Sequence, residues 1–240
     1  MNTFIESFLE LIYPEKNICC MCDIYDETID DKYICADCER KIKKIIPPYC
    51  IKCCKPINYS SSTNLCPDCI SFEKFFEESR SPFLYEGIIK KGIYNLKYYN
   101  KPYYLRYFGN ALLQYMNDND YNNFDYIIPV PLHPLKLKSR GYNQSELIAK
   151  YIAKKLNITF IDGISRIKQT GKQSTKSKED RRRSLENAFK IKKSKKYHIL
   201  KNSTILLVDD IYTTGSTANE CSKALLDYGI SKVYVITIAR

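Results

Sequence analysis

The chain has 240 residues, with 38 Lys plus Arg against 27 Asp plus Glu, a formal charge of +11 and no tryptophan. A hydrophobic content of 44% is enough for the core of one or two domains and excludes disorder as the dominant state. The charge favours polyanionic partners such as phosphates or nucleic acid, although AT-rich coding alone would enrich Lys, Asn, Ile and Tyr in the same way.

Taken in chain order, the opening MNTFIESFLELIYPEK places Phe4, Ile5, Phe8, Leu9 and Ile12 on one helical face, which predicts a short docking helix. Glu6, Glu10 and the lack of a basic start are unlike a signal peptide. No run approaches the ~18 apolar residues that a membrane span needs, so a cytoplasmic protein is expected.

Ten of the 11 cysteines follow, between residues 19 and 69. Eight form Cys-x-x-Cys knuckles at Cys19/Cys22, Cys35/Cys38, Cys50/Cys53 and Cys66/Cys69. The second pair of knuckles repeats the first after 31 residues, the mark of an internal duplication. Each knuckle aims two thiolates at one point, and two knuckles complete a tetrahedral zinc shell with no open position for catalysis. Disulfides are the rival reading, disfavoured in a reducing cytosol. Two structural zinc ions are therefore expected. The duplication favours sequential ligation, Cys19, Cys22, Cys35 and Cys38 on one metal and Cys50, Cys53, Cys66 and Cys69 on the other, with interleaving as the alternative. Cys20 and Cys54 read as neighbours of the metal shells or incidental thiols, and Cys221 as a core thiol. SSSTNL is expected as an exposed turn of the second ribbon.

These features divide the chain at residue 71, with a helix and double zinc ribbon over 1–71 and a second domain over 72–240. Helices are expected near 86–98 and 102–117. Beyond them lie a buried strand at Tyr126–Val130, an amphipathic helix over 143–156 and a short strand over 158–161. A charged, structureless run is expected over 168–186, then a strand at Thr204–Val208, a helix over 216–228 and a closing strand at Val233–Ala239. Alternating strands and helices predict an α/β fold with a parallel sheet under helical cover.

The stretch TILLVDDIYTTGSTANE carries the chemistry. In such a sheet ligands bind beyond the carboxyl ends of the strands, where Asp209 and Asp210 fall. The turn after them offers backbone N–H groups, the hydroxyls of Thr213, Thr214, Ser216 and Thr217, and a helix N-terminus, a cradle for a phosphate. Gly215 lets the backbone curl and approach closely. The carboxylates suit vicinal hydroxyls, with Mg²⁺ relieving their repulsion. Together these residues describe a ribose 5-phosphate clamp.

LLVDDIYTTGST resembles the phosphoribosyl-pyrophosphate motif of type I phosphoribosyltransferases. IIPVPLHPLKLKSRGYNQSELIAK, RIKQTGKQSTKSKEDRRRSLENAF, VITIAR and the double ribbon are similar to the ComF family of competence-associated proteins, from Cys19 to Arg240. The resemblance implies a type I phosphoribosyltransferase-like parallel sheet flanked by helices and preceded by a small zinc-ribbon domain. It also implies a role in natural transformation, handling of single-stranded DNA, and a competence helicase or other DNA-uptake protein as candidate partner. It assigns phosphoribosyl pyrophosphate and Mg²⁺ to Asp209, Asp210, Thr213, Thr214, Gly215, Ser216 and Thr217. It places pyrophosphate at Arg140 and Gly141 with the helix start at Asn143 and Gln144. A flexible loop from Arg166 to Phe189 matches the family at Gln173, Arg183 and Asn187, with Arg181 and Arg182 adding charge, while a solvated loop without ligand is the plainer alternative. His133, beside prolines, reads as packing or a turn hydrogen bond rather than as a base.

Two departures bear on catalysis. Purine-salvage relatives carry an Asp where Thr213 stands, and a threonine is no general base near pH 7. No segment after Arg240 is expected to supply a hood for a nucleobase. A catalytic residue is not assigned. The alternatives to a sugar-phosphate and DNA-binding protein are an active phosphoribosyltransferase with an unassigned acceptor, or a non-catalytic sensor of the sugar phosphate. KKGIYNLKYYNKPYYLRYF interleaves Lys90, Lys91, Lys97, Lys101 and Arg106 with tyrosines and a phenylalanine, which suits a single strand held by stacking. Two helices with tyrosines turned inward account for the same spacing.

Overall fold

The computed structural model describes residues 17–29, 32–58, 63–98, 104–168 and 178–240, without the side chains of 178, 181, 182, 195 and 196. The N-terminal docking helix and the first half of SSSTNL lie outside these residues. The element order is α1 (Ala36–Arg40), α2 (Pro67–Ser71), β1 (Ser79–Arg80), α3 (Gly87–Tyr98), α4 (Tyr104–Asp118), β2 (Tyr126–Pro129), α5 (Pro134–Arg140) and α6 (Gln144–Leu156). It continues with β3 (Thr159–Phe160), β4 (Ile164–Arg166), α7 (Lys178–Leu185), β5 (Phe189–Ile191), a 3₁₀ turn (Lys195–Leu200), β6 (Thr204–Ile211), α8 (Ser216–Asp227) and β7 (Lys232–Ala239).

The expected parallel sheet is present. Five strands run in the order β1-β7-β6-β2-β3, every neighbouring pair parallel. The central strand β6 pairs Leu206 with Ile127 on one side and with Tyr234 on the other. Its apolar run Ile205–Val208 is fully buried, as a strand covered on both faces must be.

Strand alternation sends neighbouring side chains to opposite faces. Leu206 and Val208 join Ile127, Ile148, Ile152, Phe108 and Leu112 in one buried cluster, under α3, α4 and α6. Ile205 and Leu207 join Ala218, Cys221 and Leu225 of α8 in the other. The zinc-ribbon segment enters both: Cys19, Met21 and Ile34 pack into the first cluster, and Cys50, Cys53 and Cys66 into the second. The two halves of the duplication thus close opposite faces of one sheet.

The helix pair packs as helical spacing predicts, with Ile89, Ile93 and Leu96 of α3 buried beside Leu105, Phe108 and Leu112 of α4. Helix α6 is capped by Asn143, whose side chain accepts from the Ser145 N–H, and ends at Asn157 in the left-handed conformation. Three expectations change. The run over 168–186 is not structureless, because α7 spans Lys178–Leu185. Glu179 and Asp180 sit in its first turn, where the helix dipole favours them, and Leu185 is buried. An antiparallel pair, β4 with β5, brackets that helix. Strand β6 runs past Val208 to Ile211, so Asp209 and Asp210 belong to the strand and not to the loop.

Candidate functional site

The pleat of β6 divides the acidic doublet. Asp209 Oδ1 accepts from Ser145 Oγ at 2.9 Å and from the Asp210 N–H at 2.9 Å. Burial, followed by the adjacent Asp210 charge, pushes the Asp209 carboxyl up to about 7. Asp210 turns instead toward α3 and α6. Its Oδ1 meets Lys97 Nζ at 2.9 Å and its Oδ2 accepts from Gln144 Nε2 at 3.0 Å. The amide oxygen of Gln144, Oε1, is buried with no hydrogen-bond donor among the described residues, an acceptor for a ligand's hydroxyl or a cation-bound water.

Beyond Ile211 the chain makes the expected turn. Gly215, at φ 74°, precedes α8, and the Thr214 and Ser216 hydroxyls lie 2.9 Å apart. One small pocket is lined by Asp209 together with Thr213, Thr214, Gly215, Ser216 and Thr217. Gly215 is needed for space as well as conformation, since a Cβ there would fall 2.0 Å from the Tyr212 hydroxyl. Tyr212 is held from behind. Phe76 meets its ring edge-on at 6.2 Å, and the Arg240 guanidinium lies 4.8 Å from the ring centroid. Arg240 also donates to the carbonyl of Cys53, which ties the turn to the second cysteine cluster.

The loop after β2 brings cations to the same edge. His133 Nδ1 accepts from the Leu135 N–H and caps α5, so the turn hydrogen bond expected of it is its observed role. Gly141 caps the other end of α5 at φ 84°. Among the described residues beyond its chain neighbours, no atom stands within 4 Å of a Cβ built there, so backbone conformation and not crowding calls for glycine. Arg140 stands over the Tyr98 ring at 5.2 Å. Desolvation, then the positive charges of Arg166, Arg140 and Lys97, lower the Lys136 pKa, so these cations act on one another. Burial lowers the Arg166 pKa, opposed by the charges of Cys221 and Asp209. Such a basin suits an anion with several charges.

Sequence reasoning does not place Lys97, Ser145 or Lys136 at the site, and it takes Arg166 only as the start of the flexible loop. It groups Lys97 with the other cations of residues 90–108, and the structure brings it to Asp210. Asn187 donates its backbone N–H to Glu220 at the start of α8, and Arg183 is exposed on α7. Gln173 and the side chains of Arg181 and Arg182 lie outside the described residues.

The cysteine clusters resolve the ligation question. Cys19, Cys22, Cys35 and Cys38 converge with all four sulfurs within 4.8 Å of one another, and so do Cys50, Cys53, Cys66 and Cys69. The pairing is sequential. Cys22 and Cys35 sulfurs are 3.8 Å apart and Cys53 and Cys66 3.5 Å, far beyond a disulfide bond. Hydrogen bonds from Cys53 and Cys69 hold the Cys50 thiol down, and the same proximity raises Cys69, so four thiolates need a cation to coexist. All-sulfur sets of this kind fit structural zinc. Cys54 donates to the Ser81 carbonyl, and Cys221 is a core thiol.

Comparison with known proteins matches this architecture. A double zinc ribbon domain matches residues 8–70, and a phosphoribosyl transferase domain matches residues 137–240. Competence protein F of Haemophilus influenzae is 31% identical over 212 residues, 86% of this chain and 90% of its own. Competence protein ComFC of Bacillus subtilis is 26% identical over 230 residues, 89% of this chain and 90% of its own. DNA utilization protein YhgH of Escherichia coli O157:H7 is 34% identical over 117 residues, 48% of this chain and 49% of its own. With two four-cysteine clusters joined to a parallel sheet that ends in an acidic doublet and a glycine turn, the chain belongs to the competence protein F and ComFC family.

Proposed function

We propose that this protein binds phosphoribosyl pyrophosphate with Mg²⁺ at the carboxyl edge of β6 and handles single-stranded DNA during DNA uptake. The observation that carries the reading is the pocket that unites Asp209 with residues 213–217 at the N-terminus of a 12-residue helix. The turn's N–H groups and hydroxyls hold the 5-phosphate, and the doublet takes the ribose hydroxyls. The carboxylates of Asp209 and Asp210 and the Gln144 amide oxygen supply hard oxygen donors of the kind hydrated Mg²⁺ takes, and the ion would neutralise the pyrophosphate. Arg140 and its neighbouring cations receive the pyrophosphate. The competence names of the relatives, together with the net charge of +11, support the DNA half of the reading and a cytoplasmic setting. Among the described residues no helix is long and apolar enough to cross a membrane. The zinc ribbons over 1–71 brace the phosphoribosyltransferase-like domain over 72–240 by packing into the clusters on both faces of its sheet.

Thermal unfolding with and without the sugar phosphate and Mg²⁺ tests the first half. A rise in midpoint that disappears in Asp209→Asn/Asp210→Asn supports it, and an unchanged midpoint in the wild type removes it. Titration of a labelled single strand tests the second half, with affinity expected to fall linearly in log salt. Release of pyrophosphate on adding a base or strand would mark the protein as a transferase; binding without release would mark it as a sensor or carrier.

A further inference from the structure

Helix α3 presents two tyrosines that core packing does not explain. Tyr104 and Tyr107 of α4 are 2% and 8% exposed, so the inward-packing explanation accounts for them. Tyr94 and Tyr98 are 48% and 63% exposed. They stand one helical turn apart, on a stripe that begins at Lys90, and their ring centroids are 4.8 Å apart. Both rings stay exposed on a helix whose Ile89, Ile93 and Leu96 are buried in the core.

Their place in the fold gives them a use. Lys97, the residue before Tyr98, reaches Asp210 at 2.9 Å, so the exposed rings begin at the rim of the doublet. Arg140 stands 5.2 Å over Tyr98 from the loop on the opposite wall. The Tyr142 hydroxyl donates to the Leu96 carbonyl and pins that loop to the last turn of α3. Lys90, at the start of the same stripe, holds its ammonium 6.0 Å from the centroid of the Tyr85 ring. A pair of exposed rings, tilted 43° to each other, therefore sits beside the acidic pocket, edged by Lys90, Lys97 and Arg140.

We propose that Tyr94 and Tyr98 form a stacking platform for unpaired bases of a single-stranded nucleic acid and guide the strand past the doublet. The charge pattern chooses the occupant. Cations follow the phosphates while the rings take base faces, which a duplex keeps stacked inside itself. An acidic peptide would use the cations and leave both rings idle. The platform rests on the reading above only for what lies next to it, the sugar-phosphate pocket.

The test compares two labelled strands of equal length, oligo(dT) and an abasic strand with the same phosphates, on zinc-replete protein. Tyr98→Ala and Tyr94→Ala should each weaken oligo(dT) roughly tenfold, the worth of one stacked base. Abasic binding should stay unchanged, and Tyr98→Phe should retain wild-type affinity. Equal wild-type affinity for both strands would show a surface that reads phosphate alone and would overturn the proposal. So would unchanged oligo(dT) binding by the alanine variants, preferential binding of duplex, or saturation by free thymine that displaces no strand. Calorimetry with the sugar phosphate on the same variants separates the two readings. Heat retained by Tyr94→Ala with oligo(dT) binding weakened supports the platform, and heat absent from the wild type with the tyrosine effects intact sinks the pocket reading alone.

Discussion

At Asp209, desolvation and the Asp210 charge both work against ionisation, so the folded chain holds a proton that the unfolded chain releases near pH 4. With the folded pKa raised to about 7, stability is greatest below pH 4 as far as this group is concerned, falls as pH rises from 4 to 7, and then levels. Asp209→Asn should flatten that slope, and denaturant midpoints measured from pH 5 to pH 8 check it; parallel slopes for variant and wild type would exclude Asp209 as the source. At Asp210 the partner is Lys97, and both side chains are mostly buried. Removing the ammonium in Lys97→Met leaves a lone carboxylate and should cost about 3 kcal/mol. Adding Asp210→Asn should recover much of that loss, because the double variant no longer buries an unpaired charge. A double-mutant cycle by chemical unfolding reads the coupling, and additive losses would contradict it.

Among the elements, the link from the second cysteine cluster to the glycine turn runs through Cys53, Arg240, Tyr212 and Gly215. Arg240→Ala should leave zinc content unchanged and weaken sugar-phosphate binding several-fold, since Tyr212 loses one of its supports. Calorimetry beside metal analysis tests this, and unchanged affinity would mean that the ribbon braces the fold without touching the site. Long, strongly patterned elements were legible in advance: α3, α4, α6, α8 and the buried strands β2, β6 and β7 announce themselves by apolar spacing. Helix α5 was not, because PLKLKSR has no buried face, and only the His133 cap, Pro134 and Gly141 mark it. The β4–β5 pair escaped because three-residue strands carry no measurable period. The doublet and the turn could be read from residue chemistry alone, whereas Lys97, Ser145 and Arg166 reach the edge only through tertiary packing, which spacing does not reveal.

Over the whole molecule, the duplicated ribbon contributes to the buried clusters on both faces of the sheet. The protein should therefore carry two zinc ions per chain. Chelation should lower the unfolding midpoint of the entire chain in one transition, where an independently folding ribbon would give two. Calorimetric scanning with metal analysis distinguishes the outcomes. The central claim is that the carboxyl edge of β6 grips a phosphorylated sugar. The most direct measurement is isothermal titration of zinc-replete protein with phosphoribosyl pyrophosphate in Mg²⁺ buffer. The account predicts saturable heat at one site per chain, lost in Asp209→Asn/Asp210→Asn; a flat titration of the folded wild type, or equal heat from the double variant, would contradict it.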